Sequence, residues 1–163
     1  EQLLGAYCAR GLDGAALRYF TVFGPSQRPD MAINRLMSAA LGGPPFPMRG
    51  DGTQARSFTF VDDVAEATVA AVTQRTVSSV FNIGGGDVVS VLDLIGKIER
   101  LAGTTIPVER FPGAPGDPAR TAADVSRAER ELQWRPTTAI DAGLAAQWQW
   151  QAATARRRTA TPA

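Results

Sequence analysis

The sequence has 163 residues, of which 44% are hydrophobic and 20% charged, and its 17 Lys and Arg against 16 Asp and Glu leave a net charge of +1. This length predicts one domain with a core that needs no disulfide or metal. The absence of His and the single cysteine, Cys8, exclude His-based acid–base catalysis, Cys/His zinc sites and an intramolecular disulfide. The near-neutral charge gives no reason to expect a nucleic-acid or membrane partner.

No apolar run approaches the roughly 18 residues of a membrane span. The first residues also lack the basic start and apolar stretch of a secretory signal. We therefore expect a cytoplasmic protein.

The predicted elements alternate between helix and strand. In chain order they are a helix end at 3–10, a strand at 15–23, a helix at 31–41, strands at 46–48 and 57–61, a helix at 64–74, a strand at 77–83, a helix at 91–102, a strand at 106–111 and helices at 126–132 and 140–151. Ser90 and Asp93 have the spacing of a capping box. The alternation predicts an α/β domain over residues 1–153, followed by a disordered, Arg-rich tail at 154–163.

Two arginines lie in loops where they can meet an anionic ligand. Arg28 follows the strand 15–23, and the carboxyl end of a parallel strand is a common ligand-binding position. Arg56 follows the Gly-Asp-Gly turn at 50–52, and its guanidinium can hold a diphosphate with two parallel hydrogen bonds. A solvated surface arginine is an equally open interpretation of Arg56.

The loop at 112–118 and its continuation bring a carboxylate close to a guanidinium. Asp117 can accept hydrogen bonds from ribose hydroxyls, and Arg120 can reach a phosphate. The alternative is an ion pair within the loop. The Gly triplet at 84–86 lacks the G-x-G-x-x-G spacing, so a tight turn out of a strand is favoured over a phosphate-binding loop.

Five segments in this order resemble the C-terminal part of the extended short-chain dehydrogenase/reductase family, the NAD-dependent nucleotide-sugar epimerases and dehydratases. They are LRYFTVFGP (17–25), QRPDMA (27–32), GDGTQARSFTFVDDV (50–64), FNIGGGDVVSVLDL (81–94) and PGDPARTAADVSRAERELQWRP (115–136). The resemblance runs from residue 1 to about residue 151. It implies the substrate-binding portion of an extended Rossmann-type enzyme without the N-terminal dinucleotide-binding half.

The resemblance also implies a role for each residue that matches a family motif. Thr21 together with segment 27–32 is most similar to UDP-glucuronate 4-epimerases, because neutral-sugar epimerases and dehydratases usually carry Asn at the Thr21 position. The implied roles are a nicotinamide-side contact for Phe20, the sugar carboxylate for Thr21 and Arg28, the nucleotide for Met31 and Ala32, the diphosphate for Arg56 and the uridine ribose for Asp117. Many relatives carry Arg where this chain has Ala114, and Arg120 is the expected substitute.

The family's catalytic Tyr-x-x-x-Lys pair does not occur in the sequence. Its single lysine is Lys97, and Asp93 stands four residues before it. We therefore expect no catalytic residue in this chain, no turnover by the chain alone, and a main NAD site in the missing half.

The function that the resemblance implies is the substrate-binding part of a UDP-sugar 4-epimerase, acting on UDP-glucuronate through a transient 4-keto intermediate. The expected partners are UDP-sugar, NAD and either a second copy in a homodimer of the full-length enzyme or an N-terminal partner chain. The alternatives are a fragment of an NDP-sugar 4,6-dehydratase or reductase, and a non-catalytic nucleotide-sugar-binding module completed by a partner chain. We further expect Arg28 and Arg56 to face one pocket.

Overall fold

The computed structural model describes residues 1–74, 76 and 80–160. Its helices are α1 (Gln2–Cys8), α2 (Ala32–Ala40), α3 (Val61–Thr73), α4 (Val91–Ala102), α5 (Ser126–Leu132) and α6 (Ile140–Ala160). Its strands are β1 (Ala16–Tyr19), β2 (Thr21–Phe23), β3 (Phe46–Arg49), β4 (Ala55–Phe60), β5 (Val80–Ile83), β6 (Val88–Ser90), β7 (Val108–Phe111) and β8 (Arg120–Thr121).

Parallel strand pairs organise the fold. β1 pairs with β5, β2 with β4 and β3 with β7, each in parallel. β4 also pairs with the antiparallel β6 and with the short parallel β8. This arrangement confirms the α/β class, and it directs attention to the loops at the carboxyl ends of the strands, where open α/β sheets bind their ligands.

The strand predicted at 15–23 is divided at Phe20. The residues before it pair with β5 and the residues after it pair with β4, so the chain changes sheet at this point. The backbone N–H of Phe20 still donates to the carbonyl of Ile83 at 2.9 Å. The prediction of one continuous strand was wrong because the change of partner depends on distant segments of the chain.

Smaller differences affect other elements. α3 begins at Val61, three residues before the predicted start, so Asp62 and Asp63 belong to its first turn. The predicted strand at 77–83 is present from Val80, while residues 77–79 lie outside the described residues. The capping box of α4 is confirmed: Ser90 Oγ accepts from the backbone N–H of Asp93 at 3.0 Å.

The last helix is longer than the sequence predicts. α6 continues to Ala160, so the expectation of a disordered tail from residue 154 was wrong for residues 154–160. Residues 161–163 lie outside the described residues. The extension follows from a run of Ala and Arg, which have high helix propensity, directly after the buried Gln151 and Ala152.

Two apolar clusters form the core. The larger one joins α2, α4 and α6 to β4, and Phe23 packs edge-on against Phe58 and Phe60 within it. The smaller one joins α3 and α5 to β5. No helix in the described ranges is both long and apolar enough to cross a membrane.

Candidate functional site

A cavity of about 540 Å³ opens beside β2 and the loop that follows it. It is lined by Tyr19, Phe20, Val22, Phe23, Gly24, Pro25, Ser26, Gln27, Arg28, Met31 and Val61. Three residues expected at a binding site, Phe20, Arg28 and Met31, therefore share one cavity. Its walls are mainly apolar with one cation, which suits a ligand that has a flat or apolar part and an anionic group.

Arg28 presents its guanidinium largely to solvent. Its side chain is 74% exposed, and Nη2 donates to the carboxylate of Asp30 at 3.0 Å and to the sulfur of Met31 at 3.8 Å. Asp30 is itself 67% exposed. Because surface ion pairs contribute only about 0–1 kcal/mol, little free energy holds Arg28 to Asp30 against exchange for a ligand carboxylate.

Thr21 and Ala32 are neighbours of this cavity along the chain but do not line it. Thr21 is half-buried at the start of β2, opposite Phe58 of β4. Ala32 is the first residue of α2, directly after Met31. Their expected contacts with a sugar carboxylate and a nucleotide stay predictions.

A second cluster of predicted residues lies at the head of β4. The guanidinium of Arg56 donates from Nη2 to the carboxylate of Asp117 and from Nη1 to the carbonyls of Ala55 and Pro118, at 2.9 and 2.7 Å. Arg120 is exposed in β8, in register with Ala55. Arg56 and Asp117 therefore form an ion pair, which is the alternative that the sequence left open, and Arg120 lies one register position away from Arg56.

Arg28 lines the cavity beside β2, and Arg56 is not among the residues that line it. β2 and β4 are parallel with Phe23 opposite Phe60, so Arg28 follows the carboxyl end of the pair while Arg56 lies near its amino end. The four residues from Arg56 to Phe60 span about 13 Å of strand. That the two arginines face one pocket stays a prediction, because residue spacing along the sequence does not say at which end of a strand pair a side chain lies.

The structure also contains a polar cleft outside this region. It is lined by Arg18, Val80, Asn82, Asp124, Ser126, Arg127 and Arg130. Arg18 is bonded to the carboxylate of Glu1, and Arg127 donates to the carbonyl of Val80 at 2.9 Å. These bonds within the fold make the cleft a weaker candidate than the cavity at Arg28.

The single lysine and the tyrosine of the cavity have partners in the fold. Lys97 Nζ donates to both carboxylate oxygens of Asp141, at 2.8 and 3.0 Å, and so ties α4 to α6. The Tyr19 hydroxyl is 2.9 Å from the hydroxyl of Thr68. The two side chains therefore occur in different elements with different partners.

Sequence reasoning missed Gln27 and Gln147 as residues that shape this site. Gln147 Nε2 donates to Gln27 Oε1 at 2.9 Å, and Gln147 Oε1 accepts from the backbone N–H of Gly24 at 2.8 Å. The available signal was the helical spacing of Gly143, Gln147 and Gln151, which places them on one face of α6.

A comparison with protein families matches residues 1–84 to the NAD dependent epimerase/dehydratase family. The chain belongs to this family. The NAD dependent epimerase/dehydratase match covers β1, β2, β4 and the cavity at Arg28, so the described site lies within the matched region.

Individual members of the epimerase/dehydratase family are similar over most of the chain. UDP-glucuronate 4-epimerase of Thermodesulfobacterium geofontis is 39% identical over 86% of the chain and 43% of its own length. The structure of UDP-glucuronic acid 4-epimerase from Bacillus cereus in complex with UDP-glucuronic acid and NAD matches 86% of the chain and 45% of its own, with 41% identity and a TM-score of 0.79. dTDP-glucose 4,6-dehydratase of Neisseria gonorrhoeae is 34% identical over 78% of the chain and 40% of its own length.

The chain spans less than half the length of these relatives.

Part of an NAD site fits the residues present. Phe20 borders the cavity. A Cβ added to Gly84, at the carboxyl end of β5, would lie 2.8 Å from the Cβ of Phe20, so the lack of a side chain at Gly84 leaves room for Phe20. A flat aromatic wall suits a nicotinamide contact. The sequence has no G-x-G-x-x-G loop for the pyrophosphate.

Proposed function

We propose that this chain is the substrate-binding part of an NAD-dependent UDP-sugar 4-epimerase that acts on UDP-glucuronate. The observation that carries the proposal is the exposed guanidinium of Arg28 at a cavity bordered by the Phe20 ring. The cations of Arg56 and Arg120 lie toward the other end of the β2–β4 pair. An extended nucleotide sugar has its anionic groups spread along its length in the same way.

Arg28 supplies the preference for an acidic sugar. A uronate carries a carboxylate that a neutral hexose lacks, and a hydrogen bond to a charged group contributes roughly 1.5–3 kcal/mol. That free energy corresponds to roughly a tenfold to hundredfold preference. Phe20 forms one wall beside the reacting sugar. Arg56 holds the diphosphate, with Arg120 of the neighbouring strand β8 as a second contact, and Asp117 accepts from the ribose.

The chemistry of the reaction requires residues beyond these. NAD, when bound, supplies the acceptor that oxidises the sugar 4-hydroxyl to a transient ketone and returns the hydride. The residues of this chain bind and orient the nucleotide sugar and hold its carboxylate at Arg28. Because the sequence has no Tyr-x-x-x-Lys pair, we predict no epimerisation when the purified chain is mixed with UDP-glucuronate and NAD.

An NDP-sugar 4,6-dehydratase or reductase is the second candidate within the family. Similarity to the dTDP-glucose 4,6-dehydratase of Neisseria gonorrhoeae supports it. A neutral hexose has no carboxylate for Arg28, so this candidate predicts that Arg28 makes no difference to binding. A non-catalytic binding module completed by a partner chain is the third candidate, and it predicts binding without activity whichever chain is added.

A protein partner is also part of the proposal, either a second copy or a chain that supplies the catalytic residues. Every residue of α1 is at least partly exposed, including Leu3 at 71% and Tyr7 at 53%. An exposed apolar helix face of this kind supports association with another protein surface. The cytoplasmic location expected from the sequence stays a prediction.

The deciding experiment compares UDP-glucuronate with UDP-glucose. Calorimetric titration of the parent chain should give a lower Kd for UDP-glucuronate, and Arg28→Ala should raise that Kd by roughly tenfold or more while changing the Kd of UDP-glucose little. Arg35→Ala is the matched control, because Arg35 is an exposed arginine of α2 that does not line the cavity. Equal Kd values for both ligands in the parent chain, or an unchanged preference in Arg28→Ala, would refute the uronate assignment.

A further inference from the structure

The loop that carries Arg28 is tied to α6 by a buried amide. Gln147 is 0% exposed, and both ends of its amide are bonded to this loop. Its Oε1 accepts from the backbone N–H of Gly24 at 2.8 Å, and its Nε2 donates to Gln27 Oε1 at 2.9 Å. An apolar side chain of the same size could fill this buried position without the cost of desolvating an amide. What Gln147 adds over such a side chain is therefore its two directional hydrogen bonds to the loop.

Gln27 is held from its other sides as well. Its Nε2 donates to the carbonyl of Val22 at 2.9 Å, and its Oε1 accepts from the backbone N–H of Asn34 at 3.0 Å. The Asn34 N–H lies in the first turn of α2, where backbone donors have no partner within the helix. Asn34 Nδ2 donates in return to the carbonyl of Gln27 at 2.8 Å. The residue before Arg28 is thus bonded to β2, α2 and α6.

The loop adopts a conformation that needs such support. Ser26 has a φ of 66°, which is uncommon for a residue other than Gly. Conformations of this kind persist where the surrounding structure holds them. The bonds of Gln147 to Gly24 and Gln27 flank Ser26 on both sides and supply that restraint.

Arg28 itself contrasts with the residue before it. Its side chain is 74% exposed and its ion-pair partner is the exposed Asp30. The direction in which Arg28 leaves the loop is therefore set by the backbone at Gln27 and not by packing of its own side chain. We propose that Gln147, acting through Gln27, is a positioning residue that directs Arg28 at the cavity and so sets the preference for an acidic over a neutral sugar. This inference rests on the proposed function.

The effect of losing the amide follows from this geometry. Without the amide, the backbone N–H of Gly24 loses its hydrogen-bond acceptor. The unbound loop then samples more conformations, so binding of a ligand carboxylate to Arg28 costs more conformational entropy. The entropy cost of ordering the loop affects only the acidic ligand, because only that ligand has a carboxylate for Arg28. The contacts that both ligands share, at Arg56 and Arg120, lie near the other end of the β2–β4 pair. A general loss of fold stability, in contrast, weakens the binding of both ligands alike.

The test uses Gln147→Met, which keeps the length of the side chain and removes both bonds. We expect the preference of the chain for UDP-glucuronate over UDP-glucose to fall roughly threefold to tenfold, the effect of one or two neutral hydrogen bonds. Gln151→Met is the matched control. Gln151 lies one turn further along α6, is 7% exposed and bonds to the carbonyl and Oδ1 of Asn34 and to the hydroxyl of Ser38. Its variant therefore loses bonds to α2 and keeps both bonds of Gln147 to the loop. Its variant should keep the preference.

Two further measurements separate positioning from structural support. In an Arg28→Ala background, Gln147→Met should cause no further loss of preference. Amide hydrogen exchange at residues 24–28, measured without ligand, should be faster in Gln147→Met than in Gln151→Met. If Gln147→Met does not fold, Gln27→Met replaces it, since it adds no charge beside Arg28, removes the acceptor of Gln147 Nε2 from a half-buried side chain and leaves the bond of Gln147 to Gly24 in place.

The outcomes distinguish this inference from the proposed function. A parent chain without a preference for UDP-glucuronate overturns both. A preference that disappears in Arg28→Ala but persists in Gln147→Met, or in its replacement Gln27→Met, overturns the inference alone. Equal weakening of both ligands, additive effects in the Arg28→Ala background, or unchanged exchange at residues 24–28 also overturn it.

Discussion

Arg56 and Asp117, 61 residues apart in the sequence, form an ion pair that joins the head of β4 to the loop before β8. The side chain of Arg56 is 23% exposed and that of Asp117 is 42% exposed, so the pair lies at the surface with one side open to solvent. Arg56 also donates to the carbonyls of Ala55 and Pro118. A guanidinium has five N–H donors, so further donors remain for an anionic ligand.

Arg56→Ala should weaken binding of UDP to the chain. If the guanidinium contacts the diphosphate, the loss of a charged hydrogen bond raises the Kd of UDP by roughly tenfold to hundredfold, to the same degree for UDP-glucuronate and UDP-glucose. Titration calorimetry with all three ligands measures this effect. Arg49→Ala is the control, because Arg49 is an exposed arginine at the end of β3, and it should leave the Kd of UDP unchanged.

Equal UDP affinity in the parent chain and Arg56→Ala would restrict the Arg56–Asp117 pair to a structural role. In that case Arg56→Ala should still lower the free energy of unfolding, since it removes the hydrogen bonds of Arg56 to Asp117 and to the carbonyls of Ala55 and Pro118. Urea unfolding of the same variant therefore shows whether the pair stabilises the loop even where no ligand binds.

The sequence predicted features that depend on neighbouring residues. The capping box at Ser90 and the bounds of α4 follow from local hydrogen bonds and helical spacing, and the structure has both. The position of Arg28 after a strand that ends at Gly24 and Pro25 is equally local. The loop that follows β2 of the parallel β2–β4 pair then lies beside the cavity, at the carboxyl end of the strands, where α/β folds commonly bind ligands.

Features that depend on distant pairing were not predictable in the same way. The change of strand partner at Phe20 requires β5 and β4, which follow it by dozens of residues. The separation of Arg28 from Arg56 follows from the parallel register of β2 and β4, which spacing alone does not determine. The bond from Gln147 to Gly24 joins residues 123 apart, and an amide on a helix face has no local sign of its partner.

Gly143→Ala should destabilise the chain although Ala favours helices. An added Cβ would lie 2.6 Å from Cζ of Phe23 and 2.8 Å from Cδ2 of Phe60, and both rings are buried. Overpacking of a core costs typically about 1–3 kcal/mol, which outweighs a gain of roughly 0.5–1 kcal/mol in helix propensity. Urea unfolding monitored by circular dichroism measures the change in the free energy of unfolding.

Gly96→Ala is the matched control for this contact. Gly96 lies inside α4, and the nearest atom to an added Cβ is Nη1 of Arg100 at 3.5 Å, the end of a flexible side chain. This variant should be as stable as the parent or more so. A Gly143→Ala chain with unchanged stability would mean that α6 can move away from Phe23 without cost, and it would weaken the argument that α6 holds the Arg28 loop at a defined position.

Asp93 should contribute to stability in a pH-dependent way. The Ser90 hydroxyl, and after it the Ser90 backbone N–H, hold the pKa of the Asp93 carboxyl below its ordinary value, with a further contribution from the charge of Lys97. A pKa that is lower in the folded than in the unfolded state means that the folded chain binds fewer protons, so the contribution is present above the unfolded value of about 3.9 and is lost as the pH falls through the lowered folded value.

Asp93→Asn and Ser90→Ala test this linkage from its two sides. Asp93→Asn removes the ionisable group, so its free energy of unfolding should fall less steeply than that of the parent between about pH 5 and pH 2, and the two curves should approach each other at the acid end. Ser90→Ala removes the largest cause of the shift, so the pKa of Asp93 in a carbon-13 NMR titration should rise toward its ordinary value. The carboxyls of Glu1, Asp51 and Asp124 also have lowered pKa values and add the same slope to every variant. Unfolding curves that stay parallel to the parent over this range would show that the capping box at Ser90 stabilises α4 equally well with a neutral Asp93.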